Sequence, residues 1–150
     1  MALVYRLVKG SALTAAEHDA NLGELETNRS TSQATINLSN GATGTTTITL
    51  PRGGILTLIG SDKAALVILY STAAAATADA GRAWATVAPT AGSGVIAQAT
   101  LAAAGTQALD PAPAMVNREG TPSTTYTIRV TNNGTTGDVV ITLGYVKLEP

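Results

Sequence analysis

The stretch Tyr126-Thr127-Ile128-Arg129-Val130-Thr131-Asn132-Asn133-Gly134-Thr135-Thr136-Gly137-Asp138-Val139-Val140-Ile141-Thr142-Leu143-Gly144-Tyr145 decides the fold class. In its first half Tyr126, Ile128 and Val130 alternate with Thr127, Arg129 and Thr131. In its second half Val139, Ile141, Leu143 and Tyr145 recur at the same spacing. A period of two is that of a strand with one buried face. Between the halves, Asn132 to Gly137 holds only residues that favour turns. Two alternating runs around such a turn predict a β-hairpin.

The pattern extends upstream. Thr45 to Leu50 alternates, with Thr46, Ile48 and Leu50 on one face. Pro51-Arg52-Gly53-Gly54 is a turn, Ile55 to Ile59 a strand and Ser61-Asp62-Lys63 another turn. Ala65 to Tyr70 is apolar throughout, which predicts a central strand buried on both faces. Ser71 to Gly81 is rich in Ala but offers no large apolar stripe, so it reads as a loop or weak turn. Arg82 to Ala88 is predicted as a strand carrying Trp84, Pro89 to Gly94 as a turn, and Val95 to Leu101 as a strand. Ala102 to Pro122 is irregular, broken by Asp110-Pro111-Ala112-Pro113 and Gly120-Thr121-Pro122. Repeated short strands separated by Gly and Pro turns predict a mainly β fold, a β-sandwich or jelly-roll-like module.

The first thirty residues differ in character. Ala2 to Val8 has the length of a short strand or extended arm, and Gly10-Ser11 breaks it. Thr14 and Glu17 have the spacing of a capping box, so a helix is predicted from Ala15 to about Asn28. Ala15, His18, Leu22 and Leu25 share one stripe, while Glu17, Asp19, Glu24 and Glu26 lie off it. A helix this short is marginal in water without a surface to pack on. From Ser30 onward Thr, Gly, Ala and β-branched residues take over. The expected division is an N-terminal arm and helix over residues 1–30 and an all-β domain over residues 31–150.

Composition removes several functions. The net charge is −1 and 13% of the 150 residues are charged. Nucleic acid and anionic membrane surfaces need a basic excess to replace their counterions, so neither is an expected partner. No run approaches the roughly 20 apolar residues of a membrane helix, so no membrane insertion is expected. Cysteine is absent, which rules out disulfides and thiolate metal sites. Phe is also absent and Trp occurs once, although 45% of residues are hydrophobic, many of them Ala. A core built from alanine buries little area per residue, which predicts help from oligomerisation.

Candidate chemistry is sparse. His18 is the single histidine, and its neighbour Asp19 points elsewhere on a helix. The acidic cluster Glu17, Asp19, Glu24 and Glu26 reads as a solvated helix flank. Asp62, Asp79, Asp110 and Asp138 lie singly in predicted turns, where Asp bonds its own backbone. No pair of facing carboxylates of the kind a glycosidase uses is visible in the pattern. Gly41-Ala42-Thr43-Gly44 and Gly92-Ser93-Gly94 lack the Lys-Ser/Thr continuation of a phosphate loop. Trp84 reads first as a core residue of its strand and second, with Arg82, as a sugar-binding platform. No catalytic residue, metal site or cofactor is expected, and the chain is not expected to be an enzyme.

Tyr5-Arg6-Leu7-Val8-Lys9-Gly10-Ser11-Ala12-Leu13-Thr14, followed by Ala16-Glu17-His18-Asp19-Ala20-Asn21-Leu22, resembles a segment recurrent in tailed-phage tail fibre and related virion proteins. There the pattern runs R-L-V-K-G-S-P-L-T-x-x-E-x-D-A-N-F. Ala12 stands where proline is usual, and Leu22 where phenylalanine is usual. The likeness covers about the first 25 residues. In that family the segment lies near the part that joins a fibre or spike to the particle. The resemblance implies a virion component, a tail fibre or spike-like protein or alternatively a capsid decoration or head-fibre protein. It also implies other virion proteins as partners, and a homotrimer. A host-surface glycan is a further expected partner of the outward β domain, and a polysaccharide depolymerase the least favoured reading. Tyr5, Leu7, Leu13, Leu22 and Leu25 carry most of the large apolar area of the segment and are the expected docking or oligomer contacts.

Overall fold

The computed structural model describes residues 29–121 and 123–148, together with Thr14 and Ala16. The expected arm and helix, with Tyr5, Leu7, Leu13, Leu22 and Leu25, lie outside the described residues apart from Thr14 and Ala16. The described chain forms nine strands: β1 (Arg29–Leu38), β2 (Thr43–Thr49), β3 (Gly53–Ser61), β4 (Ala65–Tyr70), β5 (Val95–Leu101), β6 (Gly105–Ala108), β7 (Ala114–Val116), β8 (Thr125–Asn132) and β9 (Gly137–Lys147). A short helix, α1 (Ala73–Ala78), and a 3₁₀ turn (Asp79–Gly81) follow β4.

The strands form two antiparallel sheets. One runs β1-β9-β3-β6, with β7 also paired to β3, and the other runs β2-β8-β4-β5. This is the wiring of a jelly roll, in which successive strands alternate between the two layers. Only β4 to β5 and β6 to β7 stay within a sheet.

The hairpin expected from Tyr126 to Tyr145 therefore does not form. β8 pairs with β2 and β4, whereas β9 pairs with β1 and β3. The alternation is real, but Ile128 and Val130 face Ile141 and Leu143 across the core instead of lying beside them in one sheet. A period of two records which face is buried and is silent about which strand is the neighbour. The connection crosses layers through a polar knot. Asn132 is fully buried, its Nδ2 donates to the Leu38 and Thr135 carbonyls (2.9 Å each), and its Oδ1 accepts from Gly134 N–H (2.9 Å).

The expected strands at β3, β4 and β5 are present, and β4 is central and fully buried, between β8 and β5. β1 was not anticipated, although Ala34, Ile36 and Leu38 alternate and pack against the core. The irregular span Ala102 to Pro122 holds β6 and β7, which are short edge strands. Arg82 to Ala88 is not a strand but a turn region outside both sheets. Ser71 to Gly81 contains α1. Ala favours helix, the Thr72 side chain accepts the Ala75 N–H (3.0 Å), and Ala76 supplies the buried contact.

Large aliphatic and aromatic side chains fill the space between the layers, among them Leu56, Ile59, Leu69, Met115, Tyr126, Ile128, Ile141 and Leu143. Most alanines lie elsewhere. Those of α1 other than Ala76, and those of Ala83–Ala91 and Ala102–Ala104, are wholly or partly exposed. The Ala content thus dilutes the surface more than the core, and the expectation of a thin core is not met.

Candidate functional site

The connection from β4 to β5 runs from Ser71 to Gly94. Connections longer than about 12–15 residues are uncommon in compact domains and often functional. This one folds back over the outer face of the β2-β8-β4-β5 sheet. A backbone bond from Ser71 N–H to Gly94 C=O (2.8 Å) joins its two ends. Gly94 has φ +79°, and a Cβ there would sit 2.5 Å from the Ala75 Cβ, so the close return over α1 requires glycine.

The outer face beneath this cover carries a second apolar cluster of Leu66, Ile68, Tyr70 and Ala76, with Ala75, Trp84 and Val95 packed against it. Leu66, Ile68 and Tyr70 are the outward set of β4, which explains why β4 reads as apolar on both faces. Polar groups then fasten the cover. Asp79 is buried, and its carboxylate receives Arg82 Nε (2.7 Å), Arg82 Nη2 (2.8 Å) and Tyr70 Oη (2.7 Å). Arg82 Nη1 donates to the Val87 carbonyl (2.6 Å) and to Gln98 Oε1 (3.1 Å) on β5. Gln98 Nε2 in turn donates to the Trp84 carbonyl (2.7 Å), and Trp84 Nε1 donates to the Asp79 carbonyl (2.9 Å).

The electrostatics follow from this geometry. The Arg82 hydrogen bonds hold the Asp79 carboxyl below the usual carboxylate range against the opposing effect of burial. Burial, then the bond to Asp79, pushes the Tyr70 phenol well above its ordinary range. Asp79 in turn raises Arg82 further. A second guanidinium, Arg129 of β8, is buried below the cover and donates from Nη2 to the Ala76 carbonyl (2.7 Å). Its Cζ lies 4.7 Å from the Trp84 ring centroid and 5.8 Å from that of Tyr70, within cation–π range of both. Its Nη1 is buried and has no hydrogen-bond partner among the described residues.

Trp84 is therefore neither in a strand nor in the core between the sheets. It is half-buried at the tip of the cover, with Arg129 over one part of its ring. Beside it opens a groove of about 290 Å³ lined by Thr43, Leu66, Arg82, Ala83, Trp84, Ala85, Thr86, Thr100, Thr131 and Asn133. Thr43 and Thr131, opposite each other on β2 and β8, share a hydroxyl bond of 2.8 Å at this groove. Arg82 and Trp84, paired in the sequence reading as a platform, do come together here. The threonines were missed because the groove draws on four strands and two loops. Their only signal was their placement on the outward positions of alternating strands.

Two of the aspartates expected to bond their own turn backbone bond instead to groups distant in sequence. Asp62 Oδ1 accepts the Val140 N–H (2.8 Å), and Asp138 Oδ1 accepts Asn37 Nδ2 (2.6 Å). A third, Asp79, organises the cover. Among the described residues no three His, Asp or Glu side chains gather as a metal site would require. No known protein family matches the chain, and no curated protein does.

Proposed function

We propose that this protein is a structural component of a tailed-phage virion, a tail fibre or spike-like protein that docks through its N-terminal segment and projects the jelly roll outward. One observation carries the reading: the run from Tyr5 to Leu22, with its R-L-V-K-G-S and D-A-N elements, resembles the attachment segment of such proteins. The jelly-roll wiring agrees with it, because that architecture recurs in viral capsid and lectin domains. Fold alone does not assign a function.

Docking rests on Tyr5, Leu7, Leu13, Leu22 and Leu25. A homotrimer fits a protein that holds on through a short apolar stripe, since three copies multiply a weak contact. The thin-core argument for trimerisation falls away, so the trimer rests on Leu22 and Leu25. Burying a Leu side chain contributes roughly 1.5–3 kcal/mol. The full chain carrying Leu22→Asp and Leu25→Asp should fold, with an unchanged melting profile, and be lost from purified particles. Normal copy number of that variant on particles would overturn the docking role of the segment.

A further inference from the structure

We infer that the groove beside Trp84 is a binding site for a single neutral pyranose ring, presented at the end or on a branch of a glycan. The inference gives the projecting β domain a ligand class and rests on the attachment reading for its biological setting.

The groove has two kinds of wall. Trp84, Leu66, Ala83 and Ala85 supply apolar surface, and Thr43, Thr86, Thr100, Thr131 and Asn133 supply hydroxyls and an amide. A pyranose has the same division, with C–H groups on its faces and hydroxyls around its rim. An aromatic ring accepts the face, and hydroxyl or amide groups, which both donate and accept, match the rim. Thr43 and Thr131 bond each other and Thr86 Oγ1 donates to the Ala83 carbonyl (3.4 Å), but a purely apolar ligand would still strip water from the remaining donors and acceptors of this wall, at a cost comparable to a lost hydrogen bond for each one left unmade.

Charge selects the class further. Among the described residues no carboxylate and no Lys lines the groove, and the one cation there, Arg82, spends Nε, Nη1 and Nη2 on Asp79, Val87 and Gln98. An acidic sugar would find no free counter-charge. At about 290 Å³ the groove lies just under the ~300–1,000 Å³ typical of small-molecule sites, which is room for one ring.

The platform is also held in place before any ligand arrives. Arg129 stacks on part of the Trp84 ring, Nε1 is bonded to the Asp79 carbonyl, and the Trp84 carbonyl is bonded to Gln98. A ligand need not order it, which favours binding even where few contacts are made.

Trp84 is the sole tryptophan, so its fluorescence reports on this groove alone. The full-length protein would be titrated with methyl glycosides of glucose, galactose, mannose and N-acetylglucosamine, and with glucuronic and sialic acid as acidic controls. At least one neutral glycoside should shift the emission saturably. Thr43→Val with Thr131→Val keeps side-chain volume and strand preference while removing the hydroxyl pair. It should weaken binding by about tenfold or more. If that variant melts early, Thr100→Arg fills the groove from an exposed position and should abolish the response. No response to any neutral glycoside, a response to the acidic sugars alone, or binding unchanged in a folded groove variant would overturn the inference. Particle incorporation is scored separately in the wild type. Incorporation without sugar binding sinks the groove and leaves the virion reading standing, and binding without incorporation does the reverse.

Discussion

Asp79 is the residue on which the cover turns. It joins Tyr70 of β4 to Arg82 of the loop, and its own carbonyl holds the Trp84 indole. Removing one partner of a buried, hydrogen-bonded pair costs about 3 kcal/mol or more, because the other charge is left unpaired. Asp79→Ala should lower stability in urea denaturation by about that amount, whereas Tyr70→Phe, which removes one hydrogen bond, should cost about 1 kcal/mol. The pH dependence has a definite sign. The carboxyl is held below its unfolded value of about 3.9, so its contribution is present above that pH and fades as pH falls through the folded value. Acid titration of Trp84 emission should show the cover loosening on the acid side of pH 4, and Asp79→Asn should remove that step. An acid limb unchanged in Asp79→Asn would place the titrating group elsewhere. In the sequence Asp79 looks like any turn aspartate. Its spacing of three from Arg82 was a legible hint, but Tyr70 and Arg129 reach the same cluster from other strands, and no local pattern announces that.

The elements were legible where burial alone defines them. β2, β3, β4, β5, β8 and β9 all follow from alternation or from continuous apolar character. Pairing was not legible, because an alternating run looks the same whether its neighbour lies beside it or across the core. The β8 to β9 crossing shows this most clearly. In solution, backbone nuclear Overhauser contacts should join Leu143 to Ser32 and Ile59, and Ile128 to Thr46 and Leu69. Contacts between Ile128 and Leu143 backbones as sheet neighbours would contradict the wiring. α1 was missed because one small buried residue and a cap are enough when a neighbouring sheet supplies the surface. Thr72→Ala should cost about 1 kcal/mol and should raise amide exchange in Ala75 to Ala78 before it affects the sheets.

At the scale of the molecule, the two faces of the sandwich differ. The β2-β8-β4-β5 sheet is covered by the Ser71–Gly94 connection and bears the groove, and the β1-β9-β3 sheet has no such connection laid over it among the described residues. The core between them is one continuous cluster, so Ile141→Ala should cost 2–5 kcal/mol and lower a single cooperative melting transition. Close approach within the β1-β9-β3 sheet is equally constrained. A Cβ at Gly54 would meet the Val146 carbonyl at 2.6 Å and the Met115 Cε at 2.8 Å, so Gly54→Ala should destabilise by about 1–3 kcal/mol. Fold class was thus readable from hydrophobic pattern, while the groove, assembled from residues spread between Thr43 and Asn133, was not. The proposal that most needs a test is that residues 1–30 carry this jelly roll on a virion. Cryo-electron microscopy of purified particles tests it most directly. The expected result is density for the nine-stranded domain outside the tail or shell, joined to it through the N-terminal segment with the Trp84 groove facing solvent. Particles without this domain, or a domain attached through the face that bears Trp84, would contradict it.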